Sequence, residues 1–205
     1  SESFKAHGDS PSAVQWPKGR QKERFDALCM NINGSKHFSV LDFGCGLAHL
    51  NDYLGSKFSS FEYTGVDLVD EFVQEDKKKY PDATFLSTDE FMTQSNRYDY
   101  IVASGTFNIL YEKELLNNKK FILSTLKNLF ERANISFAFN FMTDQVDFIQ
   151  EGAFHINPLE LYDYCRVSLS KRIILNQSYM PYEFNLIVWR DDTILRPDNM
   201  YKLYE

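Results

Sequence analysis

The sequence predicts an α/β protein: a doubly wound, mostly parallel sheet with helices on both faces, ending in an antiparallel pair of strands. Three observations carry this. Apolar, β-prone runs alternate with amphipathic stretches over most of the chain, the pattern of a parallel sheet whose crossovers are helices. One strand-to-helix junction is a glycine-rich turn, Asp42-Phe43-Gly44-Cys45-Gly46. Near the C-terminus, two strand-like runs are separated only by Met180-Pro181-Tyr182. So short a link joins antiparallel neighbours, because a parallel crossover needs about a dozen residues or more.

Residues 1–16 are polar and turn-rich, and residues 17–32 begin at Pro17 and carry Phe25, Leu28, Cys29 and Ile32 at helical spacing. Strands are predicted at 38–43, 61–67, 83–87, 98–103 and 134–142, with helices near 46–56, 70–80 and 112–131 between them. The last helix shows Leu115, Ile122, Leu126 and Leu129 on one stripe, and Phe137, Phe139 and Phe141 alternate along a strand as core positions. Asn157-Pro158-Leu159-Glu160 is a helix start, with an N-cap Asn, Pro at the first helical position and Glu three residues on. The runs 171–179 and 183–191 complete the sheet.

With 205 residues the chain suits one domain, residues 1–205, made of a lead-in (1–33) and a core (38–191). Its 43% hydrophobic and 16% aromatic content supports a packed interior with rings to spare for a pocket. A formal net charge of -7 argues against a nucleic-acid partner, whose phosphates require clustered Lys and Arg. The basic run Lys77-Lys78-Lys79 lies among Glu75, Asp76 and Asp82 and reads as a solvated helix end. Cys29, Cys45 and Cys165 show no CxxC or Cys/His metal spacing, so reduced thiols and a cytoplasmic setting are expected. No run approaches the roughly 18 apolar residues of a bilayer span, so no membrane insertion is expected.

The informative segment is Val40 to Leu50, which passes from a strand through D-x-G-x-G into a helix. Gly44 and Gly46 allow a tight turn and close backbone approach to a ligand, with a helix N-terminus behind. Tyr63-Thr64-Gly65-Val66-Asp67 ends the next strand with an acid about twenty residues on, placed to grip a ribose diol. Asp42 distinguishes between ligands. A pyrophosphate over the turn would be repelled by it, whereas the ammonium and sulfonium of S-adenosylmethionine (SAM) would be attracted. The dinucleotide fingerprint also wants a third glycine where this chain has His49. An NAD-linked oxidoreductase is therefore the weaker alternative.

Over roughly residues 17–190 the sequence resembles the class I SAM-dependent methyltransferases. VLDFGCG is similar to their first motif and YTGVDL, which includes Leu68, to their second. Phe85 to Glu90 is similar to the third region, where an acid binds the adenine amino group; this implies Asp89, with Glu90 beside it, as adenine contacts. Tyr98 to Gly105 is similar to the fourth, which implies that Ser104 and Gly105 face the methyl group. The resemblance implies a Rossmann-like, seven-stranded, mostly parallel sheet with an antiparallel C-terminal strand, SAM as cofactor, and an N-terminal lid helix. It extends to small bacterial methyltransferases of surface-polysaccharide and secondary-metabolite pathways, whose lead-in helix closes over the cofactor. In that light Trp16 is a lid candidate and Arg24 a partner for the SAM carboxylate. A surface Arg on an amphipathic helix is the equal alternative.

Ser104-Gly105-Thr106-Phe107 is not the Asn/Asp-Pro-Pro-Tyr/Phe tetrad of base N-methyltransferases, and no Pro-Cys nucleophile stands there. Ser104 also replaces the acid of metal-assisted enzymes of this fold, so no metal is expected. Ligands bind at the carboxyl edge of such sheets. Acceptor-side candidates are therefore Phe107, Asn108, Tyr111, Asn140, His155, Tyr179, Tyr182 and Glu183, with His155 and Tyr111 as candidates for the acid–base role and a surface or capping histidine as the other reading of His155. The expected acceptor is a small molecule, sugar or surface-glycan precursor, methylated on oxygen. N-methylation of a small amine and a non-catalytic methyltransferase-like partner subunit are the alternatives. Nothing in the sequence sets an oligomeric state.

Overall fold

The computed structural model describes residues 20–110, 114–149 and 151–190. The lead-in to residue 19 with Trp16, and also Tyr111, lie outside the described residues. The chain runs α1 (Gln21–Leu28), β1 (Phe38–Phe43), α2 (His49–Lys57), β2 (Phe61–Asp67), α3 (Asp70–Lys79), β3 (Thr84–Ser87) and α4 (Thr88–Met92). It continues through β4 (Tyr98–Ala103), a 3-10 turn (Thr106–Asn108), α5 (Leu115–Arg132), β5 (Ala133–Thr143), β6 (His155–Ile156), α6 (Pro158–Ser168), β7 (Ile173–Asn176) and β8 (Glu183–Trp189).

The strands form one sheet in the order β3-β2-β1-β4-β5-β8-β7, and β6 also pairs with β5. Strands β1 to β5 are mutually parallel, while β8 runs antiparallel between β5 and β7. This is the expected sheet with one addition. The C-terminal end of β5 outruns β4, whose last partner is Phe139, and β6 pairs there with Met142 and Thr143.

Alternation along the strands sends two apolar sets to opposite faces. Leu41, Val66, Ile101, Phe137, Phe139, Phe141 and Leu186 share one cluster with Ile122, Leu126 and Leu129 of α5 and with Leu161 of α6. Leu115, expected on the same stripe of α5, is exposed at the first turn of that helix. Val40, Tyr63, Tyr100, Val102, Ala138 and Ile187 share the other cluster with Phe25 and Leu28 of α1 and Leu50 and Leu54 of α2. Helices therefore cover both faces, as the alternation of elements requires.

Where boundaries depart from expectation, side chains and backbone strain explain it. The helix expected from residue 46 begins at His49, because Gly46 and Ala48 take φ values of 57° and 53°, outside the helical region. Strand β7 stops at Asn176, whose Oδ1 accepts from the N–H and hydroxyl of Ser178 at 2.9 and 2.7 Å, turning the chain early. Asn157 caps α6 by accepting from the N–H groups of Leu159 and Glu160. The Glu160 side chain does not complete a capping box; it pairs with Lys119.

Candidate active site

The register of β1 on β2 sets Phe43 opposite Val66, so the two strands deliver Gly44 and Asp67 side by side at the carboxyl edge. The N–H groups of Gly44 and Cys45 both donate to the Val66 carbonyl, at 2.7 and 3.0 Å. Gly44 sits at φ +82°, and a Cβ there would meet Thr106 Oγ1 at 2.3 Å. Thr106 is fixed in turn by donating its hydroxyl to the Phe43 carbonyl at 2.6 Å. Asp67 closes the turn from the β2 side: Oδ2 accepts from Gly46 N–H at 2.8 Å and Oδ1 from Val69 N–H at 2.9 Å. Each oxygen keeps accepting capacity for a diol. Burial pushes its carboxyl above the usual range, although these backbone bonds oppose the shift.

Behind the turn, Asp42 is buried and accepts the Tyr63 hydroxyl at 2.6 Å. Burial pushes it up to about 7; the Tyr63 bond works against this and the charge of Asp67 adds to it. Such an acid ionises readily when a cation arrives. On the other side of Asp67, the register with β3 places Ser87 opposite it, and Asp89 lies exposed two residues on. Leu68 is 72% exposed beside them, an apolar surface at the strand exit. Glu90, expected beside Asp89 as a cofactor contact, has a structural employment. It takes Ser87 N–H at 2.8 Å while its own N–H donates to Ser87 Oγ at 3.2 Å, a complete capping box for α4.

The acceptor-side candidates divide into three groups. Phe107 is 1% exposed, stacked between Phe43 and Phe141 with centroids at 6.3 and 5.5 Å, so its ring belongs to the core and not to an open pocket. Asn108 splices strands, with Oδ1 accepting from Met142 N–H at 3.0 Å and its carbonyl accepting from Phe154 N–H at 2.9 Å. Tyr182 is half-buried and its carbonyl accepts from Thr143 N–H at 3.1 Å.

The second group is one network. Arg24 is not a surface residue: it is buried, and its Nε donates to both oxygens of buried Glu183 at 2.9 and 2.7 Å. Asn140 Nδ2 and Tyr179 hydroxyl donate to the same Glu183 Oε1 at 2.7 and 2.9 Å. Asn140 Oδ1 accepts from Gly105 N–H at 2.6 Å. The third group has unmet capacity. Ser104 is buried at the end of β4, and its Oγ has no hydrogen-bond partner among the described residues. His155 Nδ1 lies 2.8 Å from the Thr143 carbonyl. A carbonyl only accepts, so Nδ1 carries a proton, and in the neutral ring Nε2 then holds the lone pair; Nε2 is buried and has no partner among the described residues.

Comparison with known proteins decides the family. A family described as methyltransferase domain matches residues 41–132. Rv1506c of Mycobacterium tuberculosis, a protein assigned as a methyltransferase, is 30% identical over 162 residues, covering 77% of this chain and 96% of that one. The chain belongs to the class I SAM-dependent methyltransferases. Among solved structures, the magnesium protoporphyrin IX methyltransferase of Synechocystis PCC 6803 with bound S-adenosylhomocysteine (SAH) has a TM-score of 0.58 at 14% identity, over 76% of this chain and 75% of that one. A SAM-dependent methyltransferase of Clostridium acetobutylicum has a TM-score of 0.57 at 14% identity, over 84% and 93%. The plantazolicin methyltransferase BamL has a TM-score of 0.56 at 14% identity, over 82% and 81%. At these identities the likeness is one of fold.

SAM is thus the cofactor of this methyltransferase, and the carboxyl edge has groups that suit it: a turn with glycines at 44 and 46, a backbone-held carboxylate and a buried acid behind them. SAM brings a methyl group on a sulfonium, activated for transfer. Among the described residues no cluster of three His, Cys, Asp or Glu could hold a metal ion, and no helix is long and apolar enough to cross a membrane. Sequence reasoning missed Tyr63, Thr106 and Asn185, the last of which donates to the Ala27 carbonyl at 3.3 Å. Tyr63 at the strand position across from Val40, on the same face as Asp42, was the one legible signal; the other two depend on contacts between distant segments.

Proposed function

We propose that this methyltransferase transfers the SAM methyl group in line to the oxygen of a small acceptor, a free metabolite, sugar or surface-glycan precursor, with His155 as general base. The observation that carries the base assignment is its fixed tautomer: the Thr143 carbonyl holds the Nδ1 proton, which leaves Nε2 as a buried, unengaged proton acceptor. β6 lies beside the extended end of β5, past the end of β4, which supports a position for His155 on the acceptor side of the Ser104–Gly105 bend. A hydroxyl nucleophile must lose a proton as it attacks, so a base is useful there, whereas a free amine needs none. The solved neighbours include enzymes named for a porphyrin and for plantazolicin, so the fold does not choose the acceptor. The acidic net charge supports a small or neutral acceptor over nucleic acid.

On the cofactor side, Asp67 receives the ribose hydroxyls, Asp89 the adenine amino group with Leu68 against the base, and Asp42 the ammonium. Gly44 and Gly46 give the backbone close approach, and Ser104 and Gly105 face the methyl group. The whole chain acts as one domain, and its buried free cysteines suit a reducing, cytoplasmic setting.

The test is calorimetric titration with SAM and SAH. Asp67→Ala is expected to weaken both by about 1–3 kcal/mol, the scale of hydrogen bonds to a charged group. Sugar, phosphate and amine acceptors are then screened with labelled SAM. For a hydroxyl acceptor, His155→Gln is expected to lower kcat by about 10²–10⁴. Unchanged turnover would remove His155 as base, and turnover with amines alone would replace the O-methylation reading.

A further inference from the structure

The Arg24–Glu183–Asn140–Gly105 network joins four segments that are distant in sequence: α1, the start of β8, the middle of β5 and the bend that leaves β4. Arg24, Glu183 and Asn140 are all buried, at 4%, 1% and 0% exposure. A buried ion pair contributes little net stability, because desolvation opposes its attraction, so its presence calls for another explanation. The bonding is directional at every step. Asn140 cannot flip, since Oδ1 must accept from the Gly105 amide while Nδ2 must donate to Glu183. Glu183 Oε1 gathers three donors, Arg24 Nε, Asn140 Nδ2 and Tyr179 hydroxyl. The last link reaches backbone, and it grips Gly105 at a left-handed φ of +75°.

We propose that Asn140 and Glu183 are positioning residues for the cofactor: they hold the Ser104–Gly105 bend in place and fasten α1 through Arg24 to the same edge. This rests on the proposed placement of the cofactor's reacting end against Ser104 and Gly105. Asn140 sets the bend directly; Glu183 sets Asn140 and clamps α1. Cofactor affinity and the attachment of α1 are then two readings of one network. Arg24 serves as part of the clamp, a role distinct from that of a surface cation.

A second polar contact supplies the control. Asn31, just past α1, donates to Ser136 Oγ at 2.6 Å near the beginning of β5, four residues before Asn140 and away from the carboxyl edge. It secures the same segment to the same strand without reaching the bend. The experiment measures SAH affinity by calorimetry and amide exchange across residues 21–28 by mass spectrometry, on the full chain and on Asn140→Ala, Glu183→Gln and Ser136→Ala. Asn140→Ala is expected to weaken SAH at least tenfold. Glu183→Gln should weaken it about three- to tenfold and speed exchange in α1, whether SAH is present or not. Ser136→Ala should leave SAH affinity within twofold even if it lowers the melting temperature.

Equal losses of affinity in Asn140→Ala and Ser136→Ala would overturn the proposal, because both would then act through general destabilisation. So would normal SAH affinity in Asn140→Ala. Should Asn140→Ala not fold, Glu183→Gln, nearly isosteric, decides by the same criteria. If the unsubstituted chain bound no SAH, the cofactor reading itself would fall, a result distinct from normal binding with indifferent variants.

Discussion

The two halves of the carboxyl edge are built from different materials. On the β1–β2 side the site is mainly backbone: two glycines at positive φ, two amides on the Val66 carbonyl, and a carboxylate held by the amides of Gly46 and Val69. On the β4–β5–β8 side it is side chain on side chain: Arg24 on Glu183, Asn140 between Glu183 and Gly105, Tyr179 closing the group. Backbone sites need particular φ values and empty space, and these leave a local imprint in sequence. Side-chain networks need partners that only folding brings together; Arg24 and Glu183 are 159 residues apart. The glycine-turn half is constrained by geometry and the other half by pairing, and substitutions should separate the two kinds of constraint.

The largest effect is expected at Gly44. Gly44→Ala imposes a left-handed φ on a residue with a Cβ and drives that atom into Thr106 Oγ1, 2.3 Å away. Thr106 cannot yield without losing its 2.6 Å bond to the Phe43 carbonyl. Strain and overpacking together are expected to remove about 3–5 kcal/mol of stability, read by urea denaturation, and to abolish SAH binding. Normal stability and affinity in the Gly44→Ala variant would show that the turn is not governed by backbone geometry.

Next is Asp42, the buried acid behind the turn on the backbone half. Its carboxyl titrates near 7 in the folded chain against an ordinary 3.8, so the folded state holds the proton more tightly than the unfolded chain does. The stability this contributes is full below about pH 4, is lost as pH rises through 7, and stays level above. Asp42→Asn removes that slope. Its stability relative to the unsubstituted chain should therefore rise by on the order of 2–4 kcal/mol between pH 4 and pH 8, since each tenfold difference in proton affinity is worth about 1.4 kcal/mol. If an ammonium sits near Asp42, SAH binding at pH 6 should release a proton, visible as a buffer-dependent calorimetric heat, and Asp42→Asn should abolish the release. Parallel pH curves for the two proteins would refute the linkage.

The same contrast explains what could be read before folding. Strands β1, β2 and β4 fall at their expected limits because each is a short apolar run bounded by turn residues. The antiparallel closing pair followed from the length of its link alone. The D-x-G-x-G turn and Asp67 could be placed because their partners are strand neighbours. On the other side the residues could be named but not wired. Asn140, Tyr179 and Glu183 were candidates for touching an acceptor, yet in the structure they hold one another and Arg24. Phe107 was a pocket candidate by its place after β4, and it packs inward because the 3-10 turn carries its ring between Phe43 and Phe141. β6 was invisible because two residues are too few for periodicity, and what defines it is the overhang of β5.

Ser87 and Glu90 mark where backbone and side-chain logic meet, and the smallest expected effects lie there. The S-x-x-E spacing is a local signature of a helix start, yet it sits in the region whose resemblance to methyltransferases draws attention to its acids as adenine ligands. In the structure Glu90 is exposed, its carboxyl held below the usual range first by the Ser87 amide and then by Lys77. Ser87→Ala removes a cap and is expected to cost about 1 kcal/mol of stability. Glu90→Ala opens the other half of the same box and should lower the melting temperature by less. If Glu90 is a cap and Asp89 the adenine contact, both variants should bind SAH within about twofold of the unsubstituted chain, while Asp89→Ala binds it more weakly at unchanged melting temperature. A loss of affinity in Glu90→Ala larger than in Ser87→Ala would reverse the assignment and make Glu90 part of the cofactor site, its bond to Ser87 then serving to aim it.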